Sequence, residues 1–272
     1  MERWNDIPLA EFDEDRRAVL EPGFFLPPMD LPRCCVITFF REVLEAKRAA
    51  GELEEITTLG SELVTLPVWR TQALGREVCL VQGFVGSAGA AGQLEELISL
   101  GCDRFVVCGG AGVLVPEVAV GHLIVPTSAL RDEGASYHYA PPSREIAADP
   151  HAVAALVDGL TRRGIPHRTA KTWTTDGFYR ETRAKVARRV AEGCVTVEME
   201  AAAFFAVAQF RGVALGQLLY GGDDLSGPQW SDREWNSRAE IRANLVDLAL
   251  ELVLELHDSN PGTPAQPSTA QE

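Results

Sequence analysis

Residues 195–220 read VTVEMEAAAFFAVAQFRGVALGQLLY, and the order of residue types in this run decides the fold. Val195–Val197 is a short apolar run that reads as a strand. Glu200–Arg211 contains no glycine or proline and reads as a helix. Gly212 follows, where a helix C-terminus favours a residue that accepts positive φ. Val213–Tyr220 is apolar again and reads as the next strand. Strand, helix, glycine, strand is the signature of an α/β protein.

The same grammar extends outward in both directions. Cys34–Phe40, Val78–Val85, Arg104–Cys108 and His122–Pro126 read as strands. Ala88–Leu100, Pro150–Arg163 and Arg180–Glu192 read as helices closed by Gly101, Gly164 and Gly193, and Glu234–His257 as a last helix. The expected fold class is therefore α/β: three-layer α/β/α, with a mostly parallel mixed central sheet and helices on both faces. Three regions are expected. Residues 1–32 carry Pro8, Pro22, Pro27, Pro28 and Pro32 without sustained periodicity and read as an N-terminal arm over the domain. Residues 33–257 carry the strand–helix alternation and read as the main domain. Residues 258–272, rich in Pro, Ser, Thr and Gln, read as a disordered tail. No internal repeat is evident.

Bulk composition narrows the function class. The chain has 272 residues, 46% of them hydrophobic, enough for one large core. Its formal charge of −14 and the lack of a long Lys/Arg cluster argue against a nucleic-acid partner. No apolar run has the length of a membrane span, and Met1–Asp15 is polar and acidic where a secretory leader is basic then apolar. The expected location is therefore cytoplasmic. Cys34, Cys35, Cys79, Cys102, Cys108 and Cys194 lie mostly in strand-like runs with no C-x-x-C pair, so reduced, buried thiols are expected rather than disulfides or a metal site.

In open α/β sheets ligands bind beyond the carboxyl ends of strands, so segments following strands carry the most weight. Cys108-Gly109-Gly110-Ala111-Gly112 offers a glycine turn that could bring backbone N–H groups to an anion or a sugar, or simply turn the chain. Gly83–Gly89 also follows a strand, but its spacing is not G-x-G-x-x-G, which argues against a dinucleotide-dependent oxidoreductase. Glu198-Met199-Glu200 places two carboxylates at a strand-to-helix junction. They either complement the helix dipole or accept the vicinal hydroxyls of a ribose while the methionine packs under the sugar. Tyr220-Gly221-Gly222-Asp223-Asp224 reads as a flexible loop delivering an acid to the same edge.

Together these segments resemble the nucleoside phosphorylase family, which includes purine nucleoside and uridine phosphorylases and methylthioadenosine-type nucleosidases. The resemblance runs from Cys34 to Asp224. It is carried by Val68-Trp69-Arg70, Leu74–Val78, Gly109–Gly112, Val120–Val125, Gly134–Tyr139 and Val197–Glu200 in that order. It implies that Glu200 holds the ribose hydroxyls, with Glu198 and Met199 in the same substrate-binding motif, and that Gly109 and Gly110 form the anion or sugar turn. Phe178, within Thr174–Arg180, is implied to stack on the base. Asp223, twenty-three residues beyond Glu200, becomes the acid that protonates the departing base. Cleavage of an N-ribosidic bond leaves negative charge on the base, so a proton delivered to a ring nitrogen improves the leaving group. The residues that read uracil in uridine phosphorylases align with Thr182 and Ala184, which favours a purine or purine-like base.

The acceptor is the less legible half. The family's phosphate-holding arginines and threonine align with Thr38–Glu42, Val64 and Val107–Gly112, where this chain lacks them, although a one-residue slip would restore Arg41. Glu42 falls on the position of the glutamate that activates water in hydrolytic relatives. The expectation is therefore a nucleosidase using water, with Asp223 and Glu42 catalytic. The alternative is phosphorolysis to base and ribose 1-phosphate with phosphate as co-substrate, and an alternative of another class is a non-catalytic nucleoside-binding sensor. The resemblance implies no cofactor, no metal and a homo-oligomer, dimer or hexamer.

Overall fold

A computed structural model describes residues 7–257. In chain order the elements are β1 (Cys34–Thr38), α1 (Arg41–Ala49), β2 (Glu54–Gly60), β3 (Thr65–Ala73), β4 (Arg76–Gln82), α2 (Ser87–Leu100), β5 (Arg104–Val113), β6 (Leu123–Asp132), β7 (Glu145–Ala147), α3 (Pro150–Arg162), β8 (His167–Thr175), α4 (Arg183–Ala191), β9 (Cys194–Glu198), α5 (Ala201–Arg211), β10 (Ala214–Asp224) and α6 (Ala239–Leu252).

The three layers follow from period-2 alternation in strands buried on both faces. Cys35 and Ile37 of β1 pack with Cys79, Val81, Phe105 and Val107 against α2 and α5. Their neighbours Cys34 and Val36 pack with Leu80, Val106 and Cys108 against α1, α3 and α6. Every residue of α5 from Ala201 to Ala208 is buried, as expected of a helix that is apolar all round. The glycines expected to close helices do so: Gly101, Gly164, Gly193 and Gly212 have φ of 119°, 65°, 88° and 76°.

In the sheet, β4, β1, β5 and β10 run parallel, with β1 and β10 flanking β5. The antiparallel hairpin β2–β3 extends one edge beyond β4. On the other side β10 meets β6 antiparallel, β6, β8 and β9 continue in parallel, and β9 returns to the far end of β5 at Gly112↔Val197 and Val113↔Thr196. Five strands thus close on themselves around Ala111, Val113, Ile124, Val195 and Leu219, with Ala170 packed against them. Strand β5 belongs both to the open sheet and to this closed part.

The arm packs on α2: the Met29 N–H donates to the Leu100 carbonyl at 3.1 Å, and the Ser99 hydroxyl to the Leu26 carbonyl at 2.9 Å. The tail expected at 258–272 lies outside the described residues. All six cysteines are free and buried. Among the described residues no helix is long and apolar enough to cross a membrane.

Candidate active site

The β9–α5 junction is held by its own carboxylates. Glu198 ends β9, and its Oε2 accepts from the N–H groups of Glu200 at 2.7 Å and Ala201 at 2.5 Å. Its Oε1 accepts from the Thr174 hydroxyl at 2.6 Å, and Thr174 Oγ1 in turn accepts from the Ala202 N–H at 3.0 Å. The first N–H groups of a helix lack partners within it, and here Glu198 and Thr174 supply them. Glu198 borders the cleft, but both of its oxygens are engaged by the protein's own donors. Its part in the motif is to set the backbone that carries Glu200.

Glu200 begins the helix and points into the cleft. The Gly86 N–H donates to its Oε1 at 2.7 Å, and Gly86 has φ of 93°, a conformation that glycine adopts without strain. The Gly83–Gly89 segment thus positions a carboxylate. Asp176 braces the same corner by accepting from the Ser87 hydroxyl at 2.5 Å and the Gly134 N–H at 2.9 Å. Burial, and then the charge of Glu198, pushes the Glu200 carboxyl well above the usual range; burial likewise raises Glu198.

Glu200 and Met199 share a cleft of about 260 Å³ with Phe39, Phe40, Gly109, Gly110, Gln217, Trp235 and Arg242. Gly109 and Gly110 line it, but they continue β5 and do not form the turn expected from the sequence. Crowding explains the glycines. A Cβ on Gly109 would lie 2.9 Å from the Phe39 ring, and one on Gly110 would lie 3.0 Å from that of Trp235.

Beyond the cleft lie the residues expected at the base. The segment Tyr220–Asp224, expected as a flexible loop, completes β10, with an irregular register between Gly221 and Asp224. Asp223 Oδ2 accepts from the Trp230 indole N–H at 2.7 Å. Glu181 stands beside it, pushed up to about 7 by burial first and by the Asp223 charge second, against the opposing pull of Lys185. Phe178 is 51% exposed, its ring 4.0 Å from that of Tyr179. Neither Asp223 nor Phe178 is among the cleft's lining residues.

At the opposite end, Glu42 lies in the first turn of α1, outside the cleft's lining. Its Oε1 is 2.7 Å from Arg242 Nε, and its Oε2 accepts from Arg242 Nη2 at 3.2 Å. Arg41, which an alignment slip would send to phosphate, is exposed and pairs with Glu45 at 3.2 Å. Arg242, Gln217, Trp235 and Glu181 are the residues that sequence reasoning missed. The first and third lie past the stretch of resemblance, and Gln217 sits inside an ordinary strand. Glu181 directly follows the base-site segment, which was its one available signal. Among the described residues no His, Cys, Asp and Glu side chains gather into a set that could hold a metal ion.

A profile of the Phosphorylase superfamily matches residues 33–256. The chain belongs to that superfamily. It is 27% identical over 164 residues to a uridine phosphorylase from Escherichia coli, covering 55% of this chain and 65% of that protein. It is 28% identical over 144 residues to a guanosine phosphorylase from Halorubrum lacusprofundi, covering 53% and 60%. The aligned part thus spans less than two thirds of the length of these relatives. In fold, a Toxoplasma gondii purine nucleoside phosphorylase in complex with immucillin-H superposes with a TM-score of 0.66 at 20% identity, over 81% of this chain and 91% of that one. A Vibrio fischeri uridine phosphorylase gives 0.67 at 18% identity, over 87% and 93%. These superfamily members share the α/β architecture read from the sequence.

Proposed function

We propose that this protein cleaves the N-ribosidic bond of a purine-type nucleoside by phosphorolysis, giving the free base and ribose 1-phosphate. The observation that carries the reading is Glu200, buried and held by Gly86 in a cleft it shares with Met199, where its carboxyl can hydrogen-bond both vicinal ribose hydroxyls. As the C1′–N bond breaks, its electron pair passes to the base, Asp223 delivers a proton to a ring nitrogen, and a phosphate oxygen bonds to C1′. Glu181, raised by burial and by the Asp223 charge, keeps its proton over a wider pH range than an ordinary carboxyl.

Two observations favour phosphate over the water expected from Glu42. That carboxylate is occupied by Arg242 and lies outside the cleft's lining, whereas a general base must reach its water. The relatives are named phosphorylases, for uridine and for guanosine. Thr182 and Ala184 in place of a uracil-reading pair favour a purine-type base. The protein is proposed to work in the cytoplasm as a homo-oligomer without a cofactor.

The test is incubation with a panel of nucleosides, with and without phosphate, and identification of the sugar product. Ribose 1-phosphate formed only with phosphate is the expected result. Free ribose formed in phosphate-free buffer would overturn it.

A further inference from the structure

Phosphate needs a cation or directed donors to hold it, and the side chains that usually supply them are absent from the aligned positions. We propose that Arg242, on the C-terminal helix α6, is the group that receives the phosphate, and that Glu42 occupies it until phosphate arrives. The proposal deepens the phosphorolytic reading and rests on it.

Three observations support the assignment. Arg242 is 7% exposed yet lines the cleft with Gly109 and Gly110, and is the one cation among the described residues that do so. Its guanidinium is kept in place by stacking, 4.5 Å over the Phe40 ring and 5.7 Å over that of Trp235, and by donation from Nη1 to the Asn236 carbonyl at 3.0 Å. A planar fork fixed in this way suits an oxyanion. Glu42 already fills that role in part. Its carboxylate lies against Nε and Nη2, but the Nε hydrogen has no aligned acceptor among the described residues.

Gln217 supplies the second, independent indication. It is 2% exposed, lines the same cleft, and its amide oxygen has no partner among the described residues. A buried amide without a partner is costly unless a ligand completes it. A protonated phosphate oxygen can donate to it, and rotation of the amide would present N–H groups to an unprotonated one. Displacing Glu42 requires no repacking, because its side chain is 45% exposed and can turn into water.

A purely structural ion pair between α1 and α6 predicts something different, so the experiment separates the two. Inorganic phosphate binding to the full chain is measured by calorimetry at constant ionic strength, alongside initial rates at varied phosphate and varied nucleoside. Arg242→Gln is expected to weaken phosphate binding and raise its KM by about tenfold or more, the scale of a lost charge-assisted contact, with the nucleoside KM within about twofold of wild type. Arg242→Lys, which keeps the charge and loses the fork, falls between. Glu42→Gln removes the competitor and is expected to tighten phosphate several-fold.

Wild-type phosphate affinity in Arg242→Gln, or unchanged or weaker affinity in Glu42→Gln, would overturn the proposal. If Arg242→Gln does not fold, the Lys and Glu42 variants decide it. Phosphate bound through Arg242 by a protein that releases free ribose without phosphate would sink phosphorolysis and leave the anion site standing. Phosphorolysis whose phosphate affinity ignores Arg242 would do the reverse.

Discussion

Glu200 and Asp223 serve opposite sides of one bond in the proposed reaction, and their environments differ accordingly. Among the described residues, Asp223 accepts from the Trp230 indole N–H alone. Asp223→Asn is expected to lower kcat by about 10²- to 10³-fold, the usual scale for a lost general acid, while nucleoside binding measured by calorimetry persists. Glu200 and Glu198 are raised by burial, so between the ordinary carboxyl value and their raised ones the native state keeps protons that the unfolded chain releases. Their stabilising effect is complete at acid pH and is lost as pH rises through that window. Glu200→Gln, which cannot ionise, should therefore gain stability relative to wild type between about pH 5 and pH 8, as read by urea denaturation at each pH. A difference that stays constant across this range would mean that burial does not raise the Glu200 carboxyl. Glu200 and Asp223 were visible as candidates in the sequence because both follow strand-like runs and the family resemblance sets their spacing. Arg242 was not, because an arginine in a surface-patterned helix reads the same whether it faces water or a cleft.

At the level of elements, the carboxyl end of β10 shows where reading glycine as flexibility misleads. Gly221 lies within β10 where its register shifts, and a Cβ there would lie 2.8 Å from the Ala119 carbonyl oxygen and 2.8 Å from Val118 Cγ1. Close approach of a neighbouring backbone, not turn formation, requires the glycine. Gly221→Ala is expected to cost about 1–3 kcal/mol, the scale of overpacking a tight interior, measurable as a lowered denaturation midpoint, and to reduce kcat by displacing Asp223 two residues on. The helices were more legible than the strands. Gly101, Gly164, Gly193 and Gly212 close them at the expected places. By contrast β8 includes His167, Arg168, Lys171 and four threonines, so its sequence lacks the apolar run that marks a buried strand. The hairpin β2–β3 forms an edge, where one-sided burial weakens the same signal.

Over the whole molecule, the layered α/β architecture was readable from strand and helix order, but closure of the sheet was not. It depends on β9 pairing with the last residues of β5, a contact between segments that no local pattern links. The proposed homo-oligomer has exposed apolar side chains near the site to draw on. Val85, at the cleft, is 72% exposed, and Trp230, bonded to Asp223, is 60% exposed. Sedimentation equilibrium is expected to give a dimer or larger species, and a monomer at micromolar concentration would count against the proposed homo-oligomer.

The double membership of β5 bears on how the chain reaches this state. One of its long edges is covered by β1, which precedes it; the other waits for β10, whose first residue is Ala214. A growing polypeptide must leave that edge open while the intervening hundred or so residues are made, and loop closure over such a span is slow. Refolding of this protein should therefore be limited by the arrival of β10. Until then, the unpaired edge of its most central strand is where self-association would begin.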